Sequence, residues 1–292
     1  MEKLHSNRKM RWLMAICLCL GFARVATAQK KDKPTAGDVV ARHLESLGSP
    51  QVRADARSRI VKGTAEFRLR VGSAGALSGP AVMASDGRKI SVSMQFSHPD
   101  YRAEEFAFDG EKTYFGTMRP GTRSGMGQFL FTQPYLVEEG LVGGVLSIAW
   151  PLGHLGERQP TLKYSGRRKI NGRPAHELTY LARRSSGDVG VKLYFDAENF
   201  RHLMSTYKIT PPRQMGATPE QSARQLQVYL FLEETFEDFQ RIDGLDLPAR
   251  WTVRFSSPGS PRGNDIWEWT FFVQELTLNP AIEPTIFVLK QP

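Results

Sequence analysis

The chain is nearly devoid of cysteine. It has two in 292 residues, Cys17 and Cys19, and both fall within the first 28. Beyond that segment there is no thiol, which excludes a disulfide framework, a cysteine nucleophile and a cysteine-based metal site. Catalytic signatures are missing too. There is no H-E-x-x-H, no G-x-S-x-G, no Walker loop and no G-x-G-x-x-G. The six histidines, at 5, 43, 98, 154, 176 and 202, are isolated, and no two have metal-ligand spacing. No metal and no cofactor are therefore expected. His43, in mid-helix, is expected to be a surface or partly buried residue. His176 and Glu177 are neighbours in a strand-like run and should point to opposite faces. The same holds for the acidic pairs Glu104-Glu105, Glu138-Glu139 and Glu233-Glu234. A catalytic carboxylate pair would have to come from distant segments, so no enzyme activity is expected. No Ser/Gly linker, charge block or fixed-period repeat divides the chain.

The first 28 residues read as a secretory signal peptide. Lys3, Arg8, Lys9 and Arg11 form a basic start, "WLMAICLCLGF" (12–22) an apolar stretch too short to span a bilayer well, and "ATA" (26–28) a small-residue cleavage pattern. Cleavage is expected after Ala28. Ile16 and Leu18 precede the cysteines where a lipoprotein signal wants a small residue, so no lipid anchor is expected. The leader holds five basic residues and one acidic, and its removal lowers the net charge from +9 to +5. That mild excess suits the vicinity of anionic headgroups without demanding nucleic acid. The expected organisation is a signal peptide over 1–28, a flexible leader over 29–36 and one domain over 37–292. The expected location is the periplasm, and the expected state a monomer.

What the chain does have is alternation. An opening helix is signalled by Thr35 and Asp38 at capping-box spacing, by the apolar stripe Val39, Val40, Leu44 and Leu47, and by Gly48 at its end. A second short helix is expected within 49–59, with Ser49 as cap and Pro50 in the first turn. The period then shifts from 3.6 to 2. In "GTAEFRLRVG" (63–72), Ala65, Phe67, Leu69 and Val71 oppose Glu66, Arg68 and Arg70. "KISVSMQF" (89–96), "LMSTYKI" (203–209), "PARWTVRF" (248–255) and "WEWTFFV" (267–273) repeat the pattern of a strand with one dry and one wet face. Asp86-Gly87, Asp109-Gly110, Asn171-Gly172 and Asp243-Gly244 supply the positive φ angles of tight hairpins between such runs. Counting runs gives ten or eleven antiparallel strands, enough to require strong curvature. The fold class is mainly β with a few helices. Residues 126–150 break the alternation and are expected to form two short helices lying over the sheet, while 210–224 reads as a polar loop. The chain has five Trp and seventeen Phe, many on the alternating strands. They could fill a sealed core or line a cavity, and composition does not separate the two.

The segments "YRAEEFAFDGEKTYFG" (101–116), "RRKINGRPAHELTYLA" (167–182), "VKLYFDAENFRHLMSTYKI" (191–209) and "FEDFQRIDGLDLPARWTVRF" (236–255) resemble exported bacterial outer-membrane lipoprotein-sorting proteins of the LolA/LolB carrier superfamily. The resemblance covers roughly 35 to 290 and rests on turn and strand marks, not on a catalytic motif. It implies a half-open antiparallel barrel of about eleven strands, covered by helices, whose inner face binds the acyl chains of a lipid or lipoprotein. Its partners would be those chains and inner- or outer-membrane transport components. The inward-facing residues expected to contact lipid are Phe67, Leu69, Ile90, Val92, Met94, Phe96, Trp251, Val253, Phe255, Trp267, Trp269 and Phe271. The other readings are an exported structural or partner-binding β protein with a self-filled core, and a secreted hydrolase.

Overall fold

The computed structural model describes residues 33–70, 75–185, 187–210, 229–258 and 266–289; the expected signal peptide and the 210–224 loop lie essentially outside them. The chain from Pro34 onward forms one compact unit. It opens with α1 (Ala36–Leu47), whose capping box is formed: Thr35 Oγ1 accepts from the Asp38 N–H at 3.1 Å, and the Asp38 carboxylate accepts from the Thr35 N–H at 2.8 Å. The helix stops at Gly48, where a side chain would come within 2.8 Å of the Gly244 carbonyl oxygen. The second helix, α2 (Pro50–Asp55), lies within the expected 49–59 with Ser49 as its cap and Pro50 in its first turn, and β1 has begun by Ser58.

Twelve strands follow among the described residues: β1 (Ser58–Leu69), β2 (Ala76–Asp86), β3 (Lys89–His98), β4 (Tyr101–Phe108), β5 (Thr113–Phe115), β6 (Thr161–Ile170), β7 (Arg173–Leu181), β8 (Val189–Asp196), β9 (His202–Ile209), β10 (Leu230–Ile242), β11 (Leu245–Ser256) and β12 (Ile266–Leu278). They form one curved, unclosed antiparallel sheet in the order β5-β4-β3-β2-β1-β12-β11-β10-β9-β8-β7-β6. All four Asx-Gly pairs sit at turns between consecutive strands. The count exceeds the expected eleven by one, and the three-residue β5 is too short for its alternation to be read.

One topological feature positions everything else. Because β1 pairs with β12, the two edges of the sheet are β5 and β6, which are neighbours in sequence. The segment joining them has to travel from one edge to the other. It does so over the apolar face, as α3 (Gly125–Thr132), α4 (Tyr135–Glu138), two short 3₁₀ turns (Gly144–Leu146 and Pro151–His154) and α5 (Leu155–Arg158). No helix among the described residues is long and apolar enough to cross a membrane.

Candidate functional site

Register confirms that alternation sorts the side chains onto two faces. Phe236 stands opposite Trp251, Trp251 opposite Phe271, and Phe271 opposite Ala65; in the next row Val253 faces Trp269, and Trp269 faces Phe67. The twelve residues expected to contact lipid belong to one apolar cluster. Ile90, Val92, Met94, Trp251, Val253, Trp269 and Phe271 have no exposure; Phe67 and Phe96 are buried; Leu69, Phe255 and Trp267 are half-buried. The segment crossing between the edges is packed against them. Its Met126, Phe129, Leu130, Leu136, Val137, Leu141 and Leu146 are buried in the same cluster. The Phe129 ring sits 6.1 Å from that of Phe255. A side chain at Gly143 would come within 2.8 Å of Met83.

Several polar contacts hold this insertion to the sheet and to α1, four groups of them at buried side chains, and none was read from the sequence. First, the buried Arg59 of β1 donates from Nη1 to the carbonyls of Val145 and Leu146, at 2.7 and 2.9 Å. Second, the Glu234 carboxylate accepts from the Gly143 N–H at 2.7 Å, Tyr207 Oη at 2.6 Å and Trp251 Nε1 at 2.9 Å. Burial pushes its pKa up to about 7. Third, Glu104 accepts from Tyr101 Oη and from the hydroxyl of Ser124, the cap of α3; burial raises it too to about 7. Fourth, Trp150 Nε1 donates to His43 Nε2 at 3.1 Å, while His43 Nδ1 donates to the Phe200 carbonyl at 3.0 Å. His43 has no exposure, contrary to its expected surface or partly buried place, because α1 lies on the apolar face and Phe195, His202 and Trp150 enclose its ring. The alternation itself contained the signal for the two carboxylates: Glu104 shares a face with Phe106 and Phe108, and Glu234 with Leu232 and Phe236. Their neighbours Glu105 and Glu233 point the other way, as expected. Glu105 accepts from Ser93, and Glu233 from Arg254.

The apolar face is not covered everywhere. Where α1 and α2 meet the insertion, the hairpin at 86–87 and the start of β11, a pocket of about 530 Å³ remains. Leu44, Leu47, Val145, Ile148, Trp150, Leu245 and Leu247 form its walls; Arg53, Arg57, Arg59, Asp86, Ser147 and His154 are the polar side chains among its lining. None of the twelve strand residues lines it. Its volume lies within the usual range of small-molecule sites, about 300–1,000 Å³. Among the described residues no group of three or more His, Cys, Asp or Glu could hold a metal ion.

No protein-family model matches the chain, nor does any curated protein. Among solved structures, the chain is similar to a LolA superfamily protein from Nitrosomonas europaea, at 13% identity and a TM-score of 0.47, over 88% of this chain and 99% of that one. It is similar to an outer membrane lipoprotein-sorting protein domain from Vibrio parahaemolyticus, at 11% identity and a TM-score of 0.45, over 86% and 97%. It is also similar to a DUF1329 family protein from Desulfovibrio piger, at 9% identity and a TM-score of 0.44, over 88% and 98%.

Proposed function

We propose that this chain is an exported, non-catalytic binding protein of the periplasm that takes up one acyl chain of a lipid or lipoprotein and releases it again. The observation that carries this reading is the pocket between α1, α2 and the insertion: apolar walls, a volume of about 530 Å³ and an opening to solvent. Burying methylenes there is worth about 0.8 kcal/mol each. The ordering of ligand and side chains removes much of that gain and leaves a reversible complex. No reactive residue is required for such a task.

The test is native mass spectrometry of the exported protein purified without detergent. Acyl species should be retained at near-stoichiometric levels. Ile148→Trp, which fills the pocket from a half-buried wall position, should abolish retention while leaving the melting temperature close to that of the parent. Lipid-free parent protein, or equal retention by the variant, would overturn the reading.

A specific observation favours a second reading. The apolar sheet face is packed under residues 125–158, as in a protein whose core is self-filled and whose partner binds elsewhere. The nine buried strand residues of the twelve could meet a ligand only if the insertion withdrew. Under the second reading the exported protein carries no lipid at all, and filling the pocket has no effect on its interactions.

A further inference from the structure

Arg59 lines the pocket with a charge that no described carboxylate compensates. Its side chain is buried, with 4% of the residue exposed. The Nη1 bonds to Val145 and Leu146 are its only hydrogen bonds among the described residues, and its Nε has no partner. No described carboxylate comes within ion-pair distance of it. Asp86, the one acidic residue of the pocket lining, is no exception. The guanidinium nevertheless stays protonated at neutral pH, since burial lowers its pKa only to about 10. Two carbonyl dipoles are weak repayment for burying a full, unpaired charge. Arg53 and Arg57 stand on the same lining, so three guanidinium groups share it with one carboxylate. An apolar trough with a buried, unsaturated cation at its side is complementary to a molecule with a hydrocarbon tail and an anionic end.

We propose that the pocket takes a single-chain amphiphile whose headgroup is a carboxylate or a phosphate monoester, bound at Arg59 while the tail lies along Leu44, Leu47, Ile148 and Leu245. This rests on the acyl-binding reading and narrows it. A trough of about 530 Å³ suits a single hydrocarbon chain. The headgroup supplies the oxygens that Arg59 lacks, and the carbonyls of Val145 and Leu146 hold the guanidinium in place for it.

The experiment is calorimetric titration of the full-length protein, stripped of lipid, with dodecanoate, dodecyl phosphate, dodecanol and dodecyltrimethylammonium. Either anion, or both, should bind about tenfold or more tightly than the alcohol, with the cation weaker still. Which anion binds better identifies the headgroup. Arg59→Met should bring the anions to parity with the alcohol. Because Arg59 also ties down the insertion, Arg57→Gln is the companion variant. It alters an exposed rim side chain and should reduce the anion preference by a smaller factor while the fold stays intact. Equal affinity for the alcohol and both anions would refute the anion site and leave acyl binding standing. Binding of none of the four would refute both.

Discussion

The Glu234 carboxylate, on the apolar face of β10, and the backbone N–H of Gly143, in the insertion, are joined by a 2.7 Å hydrogen bond with no water-exposed atom on the glutamate side. This places an ionisable group where a hydrocarbon would be expected, and it gives the closure of the sheet a pH dependence. Burial raises the folded pKa to about 7 against an ordinary value of 4.5, so the folded state prefers the protonated carboxyl. The contribution to stability is fully present below pH 4.5 and is lost as pH rises through 7. Glu234→Gln keeps the shape and most of the contacts without ionising. Relative to the parent, the variant should gain on the order of 3 kcal/mol between pH 4.5 and pH 8, read by urea denaturation at both values. Parallel pH profiles for variant and parent would contradict it.

His43 should act in the opposite sense. Burial lowers its pKa to about 4, so its contribution to stability is present above 6.5 and disappears as pH falls toward 4. The groups facing it are His202, itself pushed well below 6.5 by burial, and the Arg53 cation. His43→Phe leaves Trp150 Nε1 without a partner and the Phe200 carbonyl with only the longer bond from Ser46 Oγ at 3.3 Å. The variant should be less stable than the parent by about 2 kcal/mol or more at pH 7.5, and the gap should narrow by pH 4.5. A gap that stays constant or widens toward acid would show that the imidazole is not held neutral.

The course of the insertion depends on Gly140. Its φ of +74° is a conformation other residues seldom adopt, and a side chain there would come within 2.1 Å of the Ala149 carbonyl oxygen. Gly140→Ala should therefore cost at least about 2 kcal/mol in chemical denaturation. Gly153, in the same insertion, is the control, because a methyl group added there would meet nothing within 4 Å. Its alanine variant should stay within about 0.5 kcal/mol of the parent.

These residues mark where the sequence was legible and where it was not. The four Asx-Gly hairpins, the Thr35 capping box and the two-residue alternation are local signals, and local chemistry decides them. The pairing of β1 with β12 is not local. It joins segments some 200 residues apart, and it alone decides that β5 and β6 become edges and that residues 116–160 bridge the face. The aromatic count was therefore compatible with both a filled core and an open cavity. Arg59 was legible only in part: alternation through "SRIVKG" puts it on the dry face with Val61, Ala65 and Phe67, but the element that covers it there comes from the distant insertion. Glu104 and Glu234 could have been found by extending the alternation through Phe106 and Phe236.

The last prediction separates core from pocket. Trp269 has no exposure, lies 5.4 Å from the Phe67 ring and donates from Nε1 to Tyr101 Oη, which in turn donates to Glu104. Removing it empties a large volume and unseats that chain of hydrogen bonds. Trp269→Ala should lower stability by about 3–5 kcal/mol. The pocket, however, is lined by other residues, and nothing in its walls touches Trp269 through the hydrogen bonds just named. Affinity for dodecanoate, measured well below the variant's melting temperature, should therefore match that of the parent. A marked loss of affinity in a folded Trp269→Ala protein would mean that the insertion lifts during binding. The sheet face, with Trp251, Trp269 and Phe271 at its centre, would then be the surface that receives the chain.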